Sequence, residues 1–187
     1  MGKFCYDYPR PAVSADCVLF GYDGQYLNVL LIERGKEPWK GRWAFPGGFL
    51  NMDETAEQCA IRELKEETGI GNIKLRQLGA FSGVDRDPRG RVISVVFYTV
   101  VKMEDADPVA GDDAAGARWF RTGDVPPLAF DHDLVLQTAL ERLRSDLMSE
   151  NGINEFSPVK FSGDLTRKIL SEVNQHLDQD GYPARQP

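Results

Sequence analysis

The chain has 187 residues, enough for one domain with an appendage, and its 42% hydrophobic and 27% charged content is that of an ordinary globular protein. A net charge of −7 with scattered lysines and arginines implies no basic surface for nucleic acid, and no apolar run approaches membrane-spanning length. Cys5, Cys17 and Cys59 are too few for a disulfide framework and the start MGKFCYDYPRP is not a secretory signal, which together fit a reducing cytoplasm.

Val13 to Tyr22 and Tyr26 to Ile32 are apolar, β-branched runs joined by Asp23-Gly24, which predicts a hairpin. Trp43 to Phe45 is a short strand leading through Pro46 into the glycine loop of Gly47 and Gly48. Thr55 to Thr68 is a helix, with Asp53 or Thr55 as N-cap and Gly69 as its stop. Ala56, Ala60, Ile61 and Leu64 recur at helical spacing and face a core. Ile73 to Ser82 reads as a strand, and Arg91 to Val101 (RVISVVFYTVV) as a strand buried on both faces. Met103 to Gly111 is an acidic loop and Ala117 to Phe120 a last short strand. Asp133 to Met148 carries Leu136, Leu140, Leu143 and Leu147 at helical spacing. These elements make a domain over residues 1–150; the tail, 151–187, has one more amphipathic stripe at Leu165, Ile169, Val173 and Leu177. A mixed sheet covered on both faces by helices is the expected α/β architecture.

The most informative stretch is GFLNMDETAEQCAIRELKEETGI, from Gly48 to Ile70. Glu63, Glu66 and Glu67 stand at relative positions zero, three and four, on one helical face. Three adjacent like charges cost stability unless a cation fills the gap. Clustered hard oxygen ligands suit Mg²⁺ or Mn²⁺, which keep several waters and usually meet a phosphate. The spacing of Gly48, Glu54, Arg62-Glu63-Leu64, Glu66-Glu67 and Gly69-Ile70 resembles the Nudix box, the signature of hydrolases acting on nucleoside diphosphates linked to another group. The resemblance covers residues 10–148 and implies the Nudix-type α/β/α sandwich. It implies that the Gly47 carbonyl, Glu63 and Glu67 are metal ligands, with Glu66 binding directly or through water, and that Arg62 and Glu54 orient these groups.

The substrate side is read from three segments. Gly83 to Arg91 (GVDRDPRGR) is a polar turn resembling the corresponding loop of ADP-ribose and nucleotide-sugar pyrophosphatases, with Arg86, Arg89 and Arg91 as candidate diphosphate clamps. Of the aromatics before the box, Trp39, Trp43 and Phe45, one is expected to stack on a base, with Trp43 as the candidate, while Phe45 packs in the core. Pro127 to Arg144 resembles the end of the same branch, which also includes transcriptional regulators with a Nudix-like sensor; His132 within it is expected to cap or pack. An extra carboxylate, Asp112 or Asp113, is expected from the acidic loop as metal ligand or general base. The first expectation is therefore a Mg²⁺- or Mn²⁺-dependent pyrophosphatase acting on ADP-ribose or a related nucleoside diphosphate sugar, without nucleic-acid or membrane partners. The competing expectations are a ligand-sensing regulator and a nucleoside triphosphate or RNA 5′ pyrophosphohydrolase. The aromatic start, Phe4-Cys5-Tyr6-Asp7-Tyr8, and the tail stripe are covered either across the two-fold axis of a homodimer or by the chain's own domain.

Overall fold

The computed structural model describes residues 6–109, 114–149, 157 and 162–179. Its centre is β1 (Ala12–Tyr22), in which every residue from Ser14 onward is buried. It runs parallel to β6 (Val92–Lys102) over its whole length, from Ala12 opposite Val92 to Tyr22 opposite Lys102. The outer edge of β6 takes β5 (Arg76–Phe81) antiparallel. The other edge of β1 is shared. Phe20 to Tyr22 pair with β2 (Leu27–Arg34), and Ser14 to Asp16 pair with β4 (Gly47–Phe49), both antiparallel. β2 in turn takes β3 (Trp43–Ala44) on one edge and β7 (Ala114–Arg121) on the other. The β1–β2 turn forms as its sequence requires: Asp23 Oδ1 accepts the Gln25 and Tyr26 backbone N–H groups (2.8 and 2.6 Å), and Gly24 takes φ 99°.

Alternation along β1 and β6 feeds two cores. Val18, Phe20, Tyr98 and Val100 face α2 (His132–Met148), packing with Leu140 and Leu143. Cys17, Leu19 and Phe97 face α1 (Ala56–Thr68), packing with Cys59, Ala60 and Leu64. The result is the expected mixed sheet between helices. The tail helix, α3 (Gly163–Gln179), lies on α2 and β2 of its own chain. Ile169 and Val173 are fully buried there, and Glu172 accepts the Leu27 N–H at the start of β2 (3.1 Å). The apolar stripe of the tail is thus covered within one chain. Tyr6 and Tyr8 are exposed, at 46% and 80%; Phe4 and Cys5 fall outside the described residues.

Two elements depart from the sequence reading. The Gly47-Gly48 segment is a strand, because β2 diverges from β1 after Val29 and leaves the N-terminal half of that edge open to it. The strand expected from Ile73 enters the ladder only at Arg76, after a turn in which Asn72 takes φ 56°. No helix among the described residues is long and apolar enough to cross a membrane.

Candidate active site

The helix that carries the carboxylates is closed at both ends by its own sequence. Thr55 is the N-cap: its hydroxyl accepts the Gln58 N–H (3.2 Å) while the Gln58 side chain accepts the Thr55 N–H (2.8 Å). Gly69, at φ 74°, donates to the Lys65 carbonyl and ends it. Between these caps Cys59, Ala60, Leu64 and Thr68 are buried against the sheet, which fixes the rotation of the helix and turns Glu63 and Glu67 toward β4.

There the two glycines matter. The Gly47 N–H donates to Glu67 Oε2 (2.9 Å). A Cβ on Gly48 would overlap the Glu63 carboxylate, and a Cβ on Gly47 would overlap the Asp16 carboxylate from β1. Burial pushes the Glu67 carboxyl up to about 8, helped by the nearby negative charges of Glu63 and Asp16. Burial likewise raises Glu63, and lifts Asp16 to about 6 although the Ser94 hydroxyl donates to it. These groups therefore form a cluster of crowded, buried carboxyls whose charged forms are disfavoured unless a cation joins them.

Arg62 gathers the remaining acids. It donates Nε to Glu54 Oε2 (2.9 Å) and Nη2 to Glu54 Oε1 (2.6 Å), while Nη1 reaches Glu63 (2.6 Å) and Glu66 (3.1 Å). Nη2 also donates to the Phe49 carbonyl, tying the helix to β4 (3.2 Å). The guanidinium holds the Glu54 carboxyl down to about 2. Glu66 is the most exposed of these carboxylates, at 58%. Among the described residues no three acidic, His or Cys side chains already surround one point. The donor set nevertheless fits a hard divalent cation, because Mg²⁺ keeps several waters and needs only one or two carboxylates from the protein. Asp112 and Asp113 lie outside the described residues. The part of the acidic loop that is described docks on the end of α1, where the Val109 N–H donates to the Thr68 carbonyl (2.9 Å).

A cleft opens beside Gly47 and Gly48, walled by Asp16, Arg34, Phe49, Asp87, Phe130 and His132, together with Arg86 and Arg89. Arg86 is held by Asp131 through two hydrogen bonds (2.9 and 2.7 Å), and Arg89 by Asp87 (2.6 Å). Arg91 and Trp43 do not line this cleft. Arg91 donates to the Ser82 and Gly83 carbonyls (2.9 and 3.0 Å), and Trp43 meets Phe120 edge-on (4.6 Å) with Arg118 over its ring. His132 is buried and accepts the Phe45 N–H at Nδ1 (3.0 Å); burial pushes its imidazole down to about 3, so it is neutral. Reasoning from sequence passed over Asp16, Arg34, Phe49 and Phe130. Asp16 did leave a signal, as the lone charge inside the apolar run from Val13 to Tyr22.

The family model of the NUDIX domain matches residues 10–139. The chain belongs to the Nudix family. The complete box on α1 and this match make it a Nudix hydrolase. It is 42% identical over 130 residues to the ADP-ribose pyrophosphatase of Methanocaldococcus jannaschii, covering 70% of this chain and 73% of that protein. It is 34% identical over 143 residues to the ADPR responsive transcriptional repressor NtrR of Acinetobacter baylyi, covering 74% of this chain but only 57% of the repressor. Among solved structures, a MutT/nudix family protein from Enterococcus faecalis superposes with a TM-score of 0.81 at 29% identity, over 92% of this chain and 77% of the other.

Proposed function

We propose that this Nudix hydrolase splits the diphosphate of ADP-ribose or a related nucleoside diphosphate sugar, with Mg²⁺ or Mn²⁺ held at Glu63, Glu66, Glu67 and the Gly47 carbonyl. The observation that carries this reading is the meeting of Glu63 and Glu67 with the glycine strand β4, which itself lines a cleft that also holds arginines. A divalent ion there supplies charge neutralisation for the phosphates and a bound water of lowered pKa. Arg62 restrains Glu54, Glu63 and Glu66 as one unit. A carboxylate, Glu63 or one from the late acidic loop, takes the proton of the attacking water as the P–O–P bridge breaks. The products are a nucleoside monophosphate and a sugar phosphate. The similarity to an archaeal ADP-ribose pyrophosphatase supports the choice of substrate. Incubation with a panel of sugar nucleotides, dinucleotides and nucleoside triphosphates, with Mg²⁺ and with Mn²⁺, tests it by chromatography. Preferential turnover of triphosphates would overturn the substrate, and no turnover of any nucleotide would overturn the enzyme.

The similarity to a repressor that responds to ADP-ribose favours a second reading, in which ligand binding regulates transcription. A gel shift with upstream DNA, with and without ADP-ribose, separates the two. We also retain the homodimer as a proposal, with Tyr6 and Tyr8 in its interface; a monomer mass near 20.9 kDa by light scattering would remove it.

A further inference from the structure

The three arginines of the cleft differ in what they already hold. Arg86 is clasped by Asp131 and Arg89 by Asp87, so an incoming phosphate competes with a carboxylate at both. Arg34 has no carboxylate within ion-pair distance among the described residues. Its Nε donates to the Pro38 carbonyl (2.8 Å), and Nη2 reaches the Lys36 carbonyl (3.5 Å). The side chain leaves β2 where the pairing with β7 slips register between Glu33 and Arg34, an irregularity of the kind that re-aims a side chain.

Beside these two carbonyls, the guanidinium also rests on Phe130. This residue has φ 58°, a left-handed conformation uncommon for a bulky side chain. Such backbone persists where the surroundings fix it, and it clusters at ligand sites. The Phe130 ring meets the Arg34 guanidinium (4.7 Å) and the Arg89 guanidinium (5.5 Å), and tilts against the buried His132 ring (5.5 Å). A planar guanidinium resting on an aromatic face keeps its orientation, and its fork matches two phosphate oxygens.

We propose that Arg34 anchors a phosphate of the nucleotide substrate and that Phe130 is the positioning residue that aims it into the cleft. This deepens the pyrophosphatase reading and rests on it. The test is steady-state hydrolysis of ADP-ribose with Mg²⁺ by Arg34→Met, Arg34→Lys, Phe130→Leu and Phe130→Tyr, with metal-free binding of ADP-ribose in EDTA measured by calorimetry. Loss of a charge-assisted pair raises KM by about 10- to 100-fold in Arg34→Met, while kcat changes little and the metal-free affinity falls in parallel. Lysine restores part of the affinity as a point charge. Phe130→Leu moves KM in the same direction, and Phe130→Tyr, which keeps the ring, stays near wild type. Should Phe130→Leu fail to fold, Phe130→Gly removes the ring at a backbone position that suits glycine. Wild-type KM in Arg34→Met overturns the anchor. An equal effect of the leucine and tyrosine variants overturns the positioning role. If the wild-type protein leaves ADP-ribose intact and hydrolyses another nucleotide, the substrate reading falls, and the same comparison on that nucleotide still decides Arg34.

Discussion

Gly47 and Gly48 are adjacent in the sequence, yet an alanine at each is expected to fail in a different way. At Gly48 the three nearest atoms a Cβ would meet belong to the Glu63 carboxylate, the far end of a flexible side chain that Arg62 also holds. At Gly47 they include the Ala15 carbonyl oxygen (2.6 Å) and Asp16 Cα (2.8 Å), which are backbone of the central strand. Neither glycine is among those with positive φ, so alanine is allowed by the backbone at both positions. For Gly48→Ala the loss of unfolded-state freedom contributes about 0.4–1 kcal/mol, and pushing Glu63 off its rotamer costs about 0.5–1.5 kcal/mol. Stability therefore stays within about 1 kcal/mol of wild type, a Tm change of roughly 2–4 °C at most for a chain of this size. Turnover behaves otherwise. A carboxylate displaced by about 1 Å is expected to lower kcat by about 100-fold. For Gly47→Ala the clash is with an immobile strand, and overpacking costs about 1–3 kcal/mol in addition to the lost activity. Thermal unfolding and nucleotide hydrolysis measured on both variants check this. Wild-type turnover in Gly48→Ala, or a Gly48→Ala protein less stable than Gly47→Ala, would refute the reasoning.

Glu67→Gln is expected to lower kcat by at least about 100-fold with little loss of stability, since it removes one of several crowded carboxylates while keeping an acceptor for the Gly47 N–H; near wild-type turnover would sink the assignment. The Thr99 hydroxyl is buried with no hydrogen-bond partner among the described residues, so Thr99→Val, of nearly the same shape, should stabilise by about 1 kcal/mol and raise Tm by roughly 2–4 °C in calorimetry. His132 stays neutral down to about pH 3 in the folded chain, whereas the unfolded chain takes the proton near 6.5. Its contribution is complete above pH 6.5 and is lost as pH falls through the window to about 3, at about 1.4 kcal/mol per unit. His132→Asn keeps an acceptor for the Phe45 N–H, so urea titrations at pH 7.5 and 5.5 should show a smaller acid penalty than wild type, by about 1 kcal/mol; an equal penalty removes His132 as its source.

The parts of the fold that were legible in the sequence are those with a local cause. Thr55 and Gly69 close α1 by bonds to their near neighbours, the Asp23-Gly24 turn joins β1 to β2, and the apolar run of β6 states its own double burial. β4 was not legible, because two glycines carry no periodicity and the strand exists only through the open edge of β1. The cleft divides on the same principle. The Asp87–Arg89 pair is local, but the Asp131 that clasps Arg86 is 45 residues away, and nothing in GVDRDPRGR says which arginine will be met by an acid. Arg34 and Phe130 are joined only by the folded chain, so neither stood out beside the box. Arg91 was placed among the clamps because its loop resembles that of the pyrophosphatases; its side chain instead closes the loop onto Ser82 and Gly83.

The parallel pairing of β1 with β6 has a bearing on the order in which this protein assembles. Residues paired across it are separated by 80 positions, as in Ala12 with Val92. The glycine strand and the whole of α1 lie within the loop that this pairing closes. Helix α1 takes its caps from its own neighbours, but the surface it packs on, Cys17 and Leu19 of β1 with Phe97 of β6, exists only once those two strands have paired. Distant pairing is the slow step in folding. The docking of the carboxylate helix on its sheet is thus tied to that pairing. On a ribosome, the chain must be made past His132 before the cleft beside the carboxylates has all its walls.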